Sequence, residues 1–270
     1  MKLAIVSDIH ANLEALRATL AEISAHPVDR IVCLGDIVGY NANPAECIAL
    51  LRQFDPVCVA GNHDRAVTGQ ITTDGFTHTA ARAVRWTRPR LNADALDYLA
   101  ALPLTSSVQG RLVAVHGALH PNGGCDSVRL ETDELRGLSF AALAKHPSGA
   151  RVCAFGHTHR IGIFEFKSGV MRDRTADQVS LDAGAYYLIN PGSVGQARTA
   201  DRRAAYMVLD TARGVVTVHR VSYDVSSAWA KTRRAGLLPP FSFLPAPVRD
   251  SLKWSVRAVG LSEVMKRMAG

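Results

Sequence analysis

Five short apolar runs in this 270-residue chain are each followed within two residues by aspartate, asparagine or histidine. Apolar runs of about four to eight residues are typical of buried strands. Because the carboxyl ends of parallel strands meet at one crevice of an α/β sheet, we expect the five polar ends to converge in space. These ends are Asp8-Ile9-His10, Gly35-Asp36, Gly61-Asn62-His63-Asp64, His116-Gly117 and Gly156-His157-Thr158-His159.

The segments between these runs predict the fold class. Strands at 3–6, 31–34 and 57–60 alternate with helical patterns at 12–24 and 44–54, a rhythm typical of right-handed βαβ units. Further helices are predicted at 77–86, 93–101 and 132–145, and further strands at 112–115 and 151–155. Between residues 161 and 221 only strands are predicted, at 163–166, 186–189, 205–209 and 215–221, and we expect this meander to form a second, largely antiparallel sheet. The sequence therefore predicts an α/β fold, a four-layer α-β-β-α sandwich with two mixed β-sheets flanked by helices.

Charge divides the chain into two predicted parts. The formal net charge of +7 is concentrated in residues 229–270, where eight basic and two acidic residues give +6. This extension begins with the Pro-rich segment GLLPPFSFLPAPV and continues with an amphipathic helical pattern. We expect its apolar stripe to pack on the body or on another subunit, as in a homo-oligomer. Residues 1–228, with a net charge of only +1, form the predicted catalytic body, and this near-neutral charge disfavours a broad nucleic-acid surface.

Several classes of protein are disfavoured by composition. No run approaches the ~18 consecutive apolar residues of a transmembrane helix. The apolar run after Met1 is too short for a signal peptide, so we expect a cytoplasmic protein. The five cysteines have no close pairing, and Cys33, Cys58 and Cys153 lie within apolar runs, which predicts buried, reduced thiols.

The ligand chemistry of the five polar ends favours a metal centre. Two carboxylates, one amide and four imidazoles form a mixed oxygen and nitrogen set without thiolates, which suits Mn, Fe or Zn in a catalytic site. One ion does not need seven ligands, whereas two ions that share a bridging carboxylate use all of them. Such pairs, ~3.5–4 Å apart, are typical of phosphate ester hydrolysis. The candidate ligands are Asp8, His10, Asp36, Asn62, His116, His157 and His159.

Together the five motifs resemble those of the calcineurin-like metallophosphoesterase superfamily, over residues 1 to about 220. The resemblance implies a dimetal hydrolase of phosphoric ester or anhydride bonds, in which a metal-bridging hydroxide attacks phosphorus. It implies that Asp36 bridges the two ions. The first ion would be held by Asp8, His10 and His159, and the second by Asn62, His116 and His157.

The same resemblance implies two catalytic residues. His63 matches the family histidine that lies near the leaving-group oxygen, and Asp64 is expected to hold the ring of His63. Ser7 and Ser193 are expected to support the site rather than to act as nucleophiles.

Two further stretches resemble one branch of the superfamily. GDIVGYNANPAECIALL and NPGSVGQAR are similar to small bacterial and archaeal phosphodiesterase-like proteins, some of which cleave dinucleoside polyphosphates. The resemblance implies a small phosphorylated substrate, with nucleotides favoured. Tyr40, Asn41 and Arg198 are candidate substrate contacts; a packed ring, a turn residue and a surface arginine are the respective alternatives.

Three other functions stay open at this point. Protein phosphatases and nucleases occur in the same superfamily, and the basic extension could bind phosphate backbones. A catalytically silent metal-binding scaffold is an alternative from a different class of protein. The complete set of seven candidate ligands, with His63, disfavours the scaffold.

Overall fold

The computed structural model describes residues 1–238, and the strands and helices within that range alternate as an α/β fold. The strands are β1 Lys2–Val6, β2 Arg30–Cys33, β3 Val57–Cys58, β4 Thr105–Val108, β5 Leu112–Val115, β6 Ala118–His120, β7 Gly123–Cys125, β8 Val152–Ala154, β9 Ile161–Lys167, β10 Val170–Asp173, β11 Gln178–Ser180, β12 Tyr186–Pro191, β13 Ala204–Asp210 and β14 Val215–Val221. The helices are α1 Leu13–Ser24, α2 Pro44–Arg52, α3 Asn62–Thr68, α4 His78–Thr87, α5 Ala93–Ala100, α6 Asp133–Ala144 and α7 Val225–Arg234. The predicted Pro-rich segment, apart from its first three residues 236–238, and the predicted amphipathic helix lie outside the described residues.

Two six-stranded sheets and a small ribbon contain these strands. The first sheet has the order β11-β14-β13-β1-β2-β3, and the second has the order β10-β9-β12-β8-β5-β4. Each combines parallel pairs, β1 with β2 and β5 with β8, and antiparallel pairs, β1 with β13 and β12 with β9. The ribbon pairs β6 with β7. The prediction of two mixed sheets is therefore confirmed.

The late strands do not form a sheet of their own, so this part of the prediction is wrong. β13 and β14 extend the sheet of β1, whereas β9, β10 and β12 extend the sheet of β8. The physical reason is the burial of β1 and β8, whose residues contact apolar side chains on both faces. Because β1 has β2 on one side only, its other edge needs a neighbouring strand, and β13 pairs there.

Alternate residues of the strands fill three apolar layers. Leu3 and Ile5 of β1 point into the layer between the sheets, together with Ile189 of β12. Ala4 and Val6 point to the opposite face, where α1, α2 and α5 pack. On the outer face of the second sheet, the side chains of β5 and β8 pack against α6. The result is the predicted order helix, sheet, sheet, helix.

Helix starts follow the sequence signals. Asn12 caps α1 by accepting a hydrogen bond from the backbone N–H of Ala15, and Pro44 begins α2. Two helices that the sequence did not predict are α3, which begins inside the Asn62-His63-Asp64 motif, and α7, which is capped by Asp224. Helix α7 runs across residue 229, where the sequence suggested that the extension begins.

Two other predictions concern the chain as a whole. All five cysteines are free, and Cys33, Cys58 and Cys153 are buried as expected. Among the residues described, no helix has the length and apolar character needed to cross a membrane.

Candidate metal centre

The five polar strand ends meet at one edge of the two sheets. β1, β2 and β3 bring their carboxyl ends together from the first sheet, and β5 and β8 bring theirs from the second. Nitrogen and oxygen atoms within 4.8 Å of one another form three overlapping groups. The groups are Asp8 with His10 and His159, His10 with Asp36 and His63, and Asp36 with His116 and His157.

Asp36 lies at the centre of this cluster. Its Oδ2 atom is 3.5 Å from Nε2 of His10 and 3.4 Å from Nε2 of His116. Its Oδ1 atom accepts a hydrogen bond of 2.9 Å from the backbone N–H of His63. One carboxylate oxygen therefore faces imidazoles from both sides while the other fixes the orientation of the group.

On one side of Asp36 the ligand candidates are fully enclosed by protein. Nε2 of His10 and Nε2 of His159 are 3.1 Å apart, and Oδ1 of Asp8 is 3.1 Å from Nε2 of His159. The second oxygen of Asp8 accepts hydrogen bonds from the hydroxyl of Ser7 and the backbone N–H of His157.

On the other side the cluster is partly open. Nε2 of His116 lies 3.2 Å from Oδ1 of Asn62. The rings of His116 and His157 have centroids 5.1 Å apart, and His157 is only partly buried. The cluster is therefore least enclosed on the side of His157.

Backbone carbonyl oxygens orient three of the imidazoles. Nδ1 of His10 donates to Val38, Nδ1 of His116 to Leu34, and Nδ1 of His159 to Gln196, at distances of 3.1, 2.7 and 2.6 Å. A ring that donates through Nδ1 presents Nε2 to the cluster, as metal-binding histidines do.

The backbone is left-handed at most of the candidate ligands. Positive φ values occur at Asp8, His10, Asp36, His157 and His159, between 49° and 63°. Non-glycine residues rarely adopt this conformation, and such strain is concentrated at functional sites. The hydrogen bonds around the cluster hold these turns and keep the side chains aimed at one point.

Two glycines allow the strand ends to approach each other. A Cβ atom on Gly61 would lie 2.1 Å from Oδ1 of Asp36, and one on Gly156 would lie 2.0 Å from Oγ of Ser7. No other residue fits at either position without displacing the carboxylates.

The cluster has the chemistry of a cation site. Within the described part of the chain, Oδ1 of Asp8 is buried and accepts no hydrogen bond, although Nε2 of His159 is near. A buried carboxylate oxygen without a partner is costly unless it meets a cation. Together with the converging Nε2 atoms, this oxygen shows that the donor set fits metal ions.

The pKa values of the histidines reflect burial against carboxylates. Burial lowers the pKa of His10 and of His157 to about 3 in each case. Burial acts in the same direction on His116, but the negative charges of Asp36 and Asp8 dominate and raise its pKa to about 10. At His159, burial lowers the pKa, but the negative charge of Asp8 outweighs burial and raises it. The two carboxylates have lowered pKa values, because these imidazoles outweigh the effect of burial.

His63 lies next to the cluster and is held by packing. Its ring centroid is 4.9 Å from that of His10, 4.7 Å from that of Tyr40 and 5.2 Å from that of Phe76. Its Nδ1 atom is buried and makes no hydrogen bond within residues 1–238. Burial lowers the pKa of His63, so the neutral ring is favoured at pH 7.

Asp64 does not hold the ring of His63, which corrects the expectation for this residue. Its Oδ1 atom accepts a hydrogen bond from the backbone N–H of Val38, and its Oδ2 atom accepts one from Gly61. Both oxygens are occupied by these backbone groups, so Asp64 fixes the turn after β2 to the start of α3. Burial and the charge of Asp36 raise its pKa to about 7.

The three candidate substrate contacts lie at different distances from the cluster. The ring of Tyr40 packs edge-on against His10, with centroids 4.7 Å apart. Asn41 donates to the carbonyl of His10 and accepts from the hydroxyl of Thr232 in α7. Arg198 is exposed in the loop that follows β12.

Sequence reasoning missed two residues at the site. Arg129 donates through Nη2 to the carbonyl of His157 at 3.3 Å, and its positive charge acts on the pKa values of both His157 and Tyr40. Asn190 is fully buried and donates to the carbonyl of Gly156 and to Oγ1 of Thr158. Arg129 lies in a loop without a motif; the Asn-Pro-Gly-Ser turn was the only signal for Asn190.

Comparison with known proteins identifies the family. Residues 1–214 match the calcineurin-like phosphoesterase superfamily domain. The chain belongs to this superfamily. Its members are metal-dependent phosphoesterases, which agrees with the donor set described above, and the chain is therefore a phosphoesterase.

Relatives with similar sequences cover most of the chain. A metallophosphoesterase from Sphaerobacter thermophilus is 35% identical with a TM-score of 0.72, over 89% of this chain and 95% of its own. The uncharacterized protein MJ0912 of Methanocaldococcus jannaschii is 34% identical over 85% of this chain and 90% of its own. The hypothetical protein PH1004 of Pyrococcus horikoshii, 17% identical with a TM-score of 0.66, shares the fold over 88% of this chain and 94% of its own.

Proposed function

We propose that this phosphoesterase is a dimetal hydrolase of small phosphodiesters or phosphoanhydrides, with nucleotides as the favoured substrates. The observation that carries the proposal is the position of Oδ2 of Asp36, 3.5 Å from Nε2 of His10 and 3.4 Å from Nε2 of His116. A carboxylate oxygen between two imidazoles from different sheets suits a ligand shared by two cations.

The remaining ligands divide into two sets around Asp36. Asp8, His10 and His159 would hold one ion, and Asn62, His116 and His157 would hold the other. Oxygen and nitrogen donors without thiolate suit Mn, Fe or Zn. When bound, such ions lower the pKa of water and neutralise charge on phosphoryl oxygens.

His63 would assist departure of the leaving group. Its neutral form carries one N–H, which can donate to an oxygen of the substrate, and packing against Tyr40 and Phe76 prevents the ring from turning away. The backbone N–H of His63 donates a hydrogen bond to the carboxylate of Asp36. Movement of the carboxylate and movement of the imidazole are therefore coupled. His63 is therefore oriented by the same contact that orients the bridging group.

Arg129 would bind the phosphate from the open side of the cluster. The guanidinium lies beside His157, where the cluster is accessible, and it is partly exposed. Its Nε atom lies 3.5 Å from Oε1 of Glu131 and its Nη2 atom donates to the carbonyl of His157, so among the described residues Nη1 is the donor that remains for an anionic oxygen. Tyr40, whose pKa is raised to about 12 by burial and by Asp36, keeps its phenolic proton as a second donor.

Hydrolysis of a model ester after metal removal tests the proposal. The protein is stripped of metal, Mn, Fe, Zn and Mg are added back separately, and release of nitrophenol from bis-p-nitrophenyl phosphate is followed. Turnover restored by metal and lost in Asp36→Asn supports the proposal. Asp97→Asn, a change of the same chemistry at an exposed position of α5, is the control. Absence of turnover with every metal would overturn the proposed activity toward phosphodiesters.

A further inference from the structure

A cavity of about 190 Å³ lies between α7 and the loops that follow β2 and β12. Its walls include Tyr40 and Asn41 from the first loop and Gln196 from the second, with Tyr223, Trp229 and Thr232 from the chain at α7. The match to the superfamily domain ends at residue 214, so the α7 wall is formed by a part of the chain beyond that match.

Two residues that line the cavity contact ligand candidates of the metal centre. The carbonyl oxygen of Gln196 accepts the Nδ1 hydrogen of His159 at 2.6 Å, and the ring of Tyr40 contacts that of His10. On the far wall, the hydroxyl of Thr232 donates to Oδ1 of Asn41 at 3.0 Å. The cavity therefore borders the side of the cluster that His10 and His159 form.

The walls select the chemistry of the group that enters. Three aromatic side chains line the cavity, and the indole of Trp229 is 36% exposed. The guanidinium carbon of Arg202 lies 5.8 Å from the centroid of the Trp229 ring. Among the described residues that line the cavity there is no carboxylate, and Arg202 adds a positive charge, so an uncharged or anionic group is favoured over a cation.

The volume limits the size of that group. Sites for whole drug-sized ligands measure roughly 300–1,000 Å³, so about 190 Å³ suits one planar ring system rather than an entire nucleotide. The phosphate would then remain outside the cavity, at the metal cluster. Planar bases stack well on tryptophan, whereas an aliphatic alcohol does not.

We propose that this cavity is the subsite for the base of a nucleotide substrate, with Trp229 as its stacking surface. The inference rests on the proposed function for the position of the phosphate, but the base is recognised by contacts that contain no metal ligand. Helix α7 thereby becomes the specificity element of the enzyme.

Calorimetric titration of the metal-loaded, full-length protein with AMP and with ribose 5-phosphate tests this subsite. The two ligands share the 5′-phosphate and differ only in the base. We expect AMP to bind at least about tenfold more tightly. In Trp229→Ala the ratio of the two dissociation constants should fall toward one. Trp86→Ala, which removes a tryptophan that packs on Arg90 away from the cavity, should keep the ratio of the wild type.

Turnover of bis-p-nitrophenyl phosphate, measured in parallel, separates this inference from the proposed function. Equal affinities for AMP and ribose 5-phosphate in an enzyme that turns over the ester would overturn the subsite alone. A preference for AMP that survives in Trp229→Ala would also overturn it. The protein could also prefer AMP in a way that depends on Trp229 and yet not hydrolyse the ester. That result would support the subsite, while the proposed function would fail.

Discussion

Nε2 of His10 lies 3.1 Å from Nε2 of His159, and each ring donates its Nδ1 hydrogen to a backbone carbonyl. Two lone pairs cannot face each other at this distance without a positive charge between them. Against the effect of burial, the charge of Asp8 raises the pKa of His159, which favours a proton there when no metal is bound. When an ion binds, it replaces that proton.

Metal binding should therefore release protons at pH 7. Burial lowers the pKa of His116, but the carboxylates of Asp36 and Asp8 outweigh burial and raise it to about 10, so this ring is protonated before metal binds. The pKa of His159 is raised as well. We expect at least one proton to be released when two ions bind, and tighter binding as pH rises from 6 to 8. Calorimetry in PIPES and in Tris, whose ionisation enthalpies differ, measures the number released. A heat of binding independent of buffer would contradict this prediction.

Single ligand substitutions should each remove one ion. His159→Ala should retain the ion beside His116, and His157→Ala should retain the ion beside His10. Metal analysis of the purified variants should give about one Mn per chain, against two for the wild type. His120→Ala, at an exposed histidine in β6, should keep two. Loss of both ions in each variant would show that the two sites are not separable.

Arg129, rather than Arg198, should bind the phosphate. Loss of a charge-assisted hydrogen bond costs roughly 1.5–3 kcal/mol, so Arg129→Ala should raise KM for the model ester at least about tenfold with a smaller change in kcat. Arg129→Lys should recover part of the affinity through charge alone. Arg198→Ala is the matched comparison, because its exposed side chain lies on the loop after β12. A larger rise in KM for Arg198→Ala would reverse the assignment.

Asn190 should contribute to stability through the loop that carries His157 and His159. Its buried amide donates to Gly156 and Thr158, and Asn190→Ala would leave those acceptors unpaired. We expect the free energy of unfolding in urea to fall by about 1–3 kcal/mol. The control is Asn43→Ala, because the side chain of Asn43 donates a hydrogen bond only to the exposed Glu46 among the described residues. This substitution should change the free energy of unfolding by less than about 0.5 kcal/mol. Equal effects of the two substitutions would refute this role for Asn190.

The metal cluster could be predicted from sequence because its signal is local. Each candidate ligand lies within five residues of the end of a short apolar strand, as Asp8 does after β1 and His116 after β5. The left-handed backbone at Asp8 and His159 could not be predicted, because these residues rarely adopt positive φ and only the surrounding hydrogen bonds impose it.

What the sequence did not predict depends on long-range pairing. The choice of β13 as the neighbour of β1 is decided by burial on both faces of β1, which a single segment does not encode. The same holds for Arg129, an arginine in an irregular loop whose position beside His157 arises from the packing of the second sheet. Asp64 was assigned to the wrong partner because one of its backbone donors, Val38, comes from a distant turn, and the other, Gly61, is the N-cap of a helix that the sequence did not predict.

The central claim is that Asp36 joins two metal ions, and anomalous diffraction from a crystal grown with Mn²⁺ tests it most directly. We expect two anomalous peaks ~3.5–4 Å apart, both within coordination distance of the carboxylate of Asp36. One peak is expected beside Asp8 and His159, and the other beside His116 and His157. A single peak, or two peaks that do not share Asp36, would contradict the account.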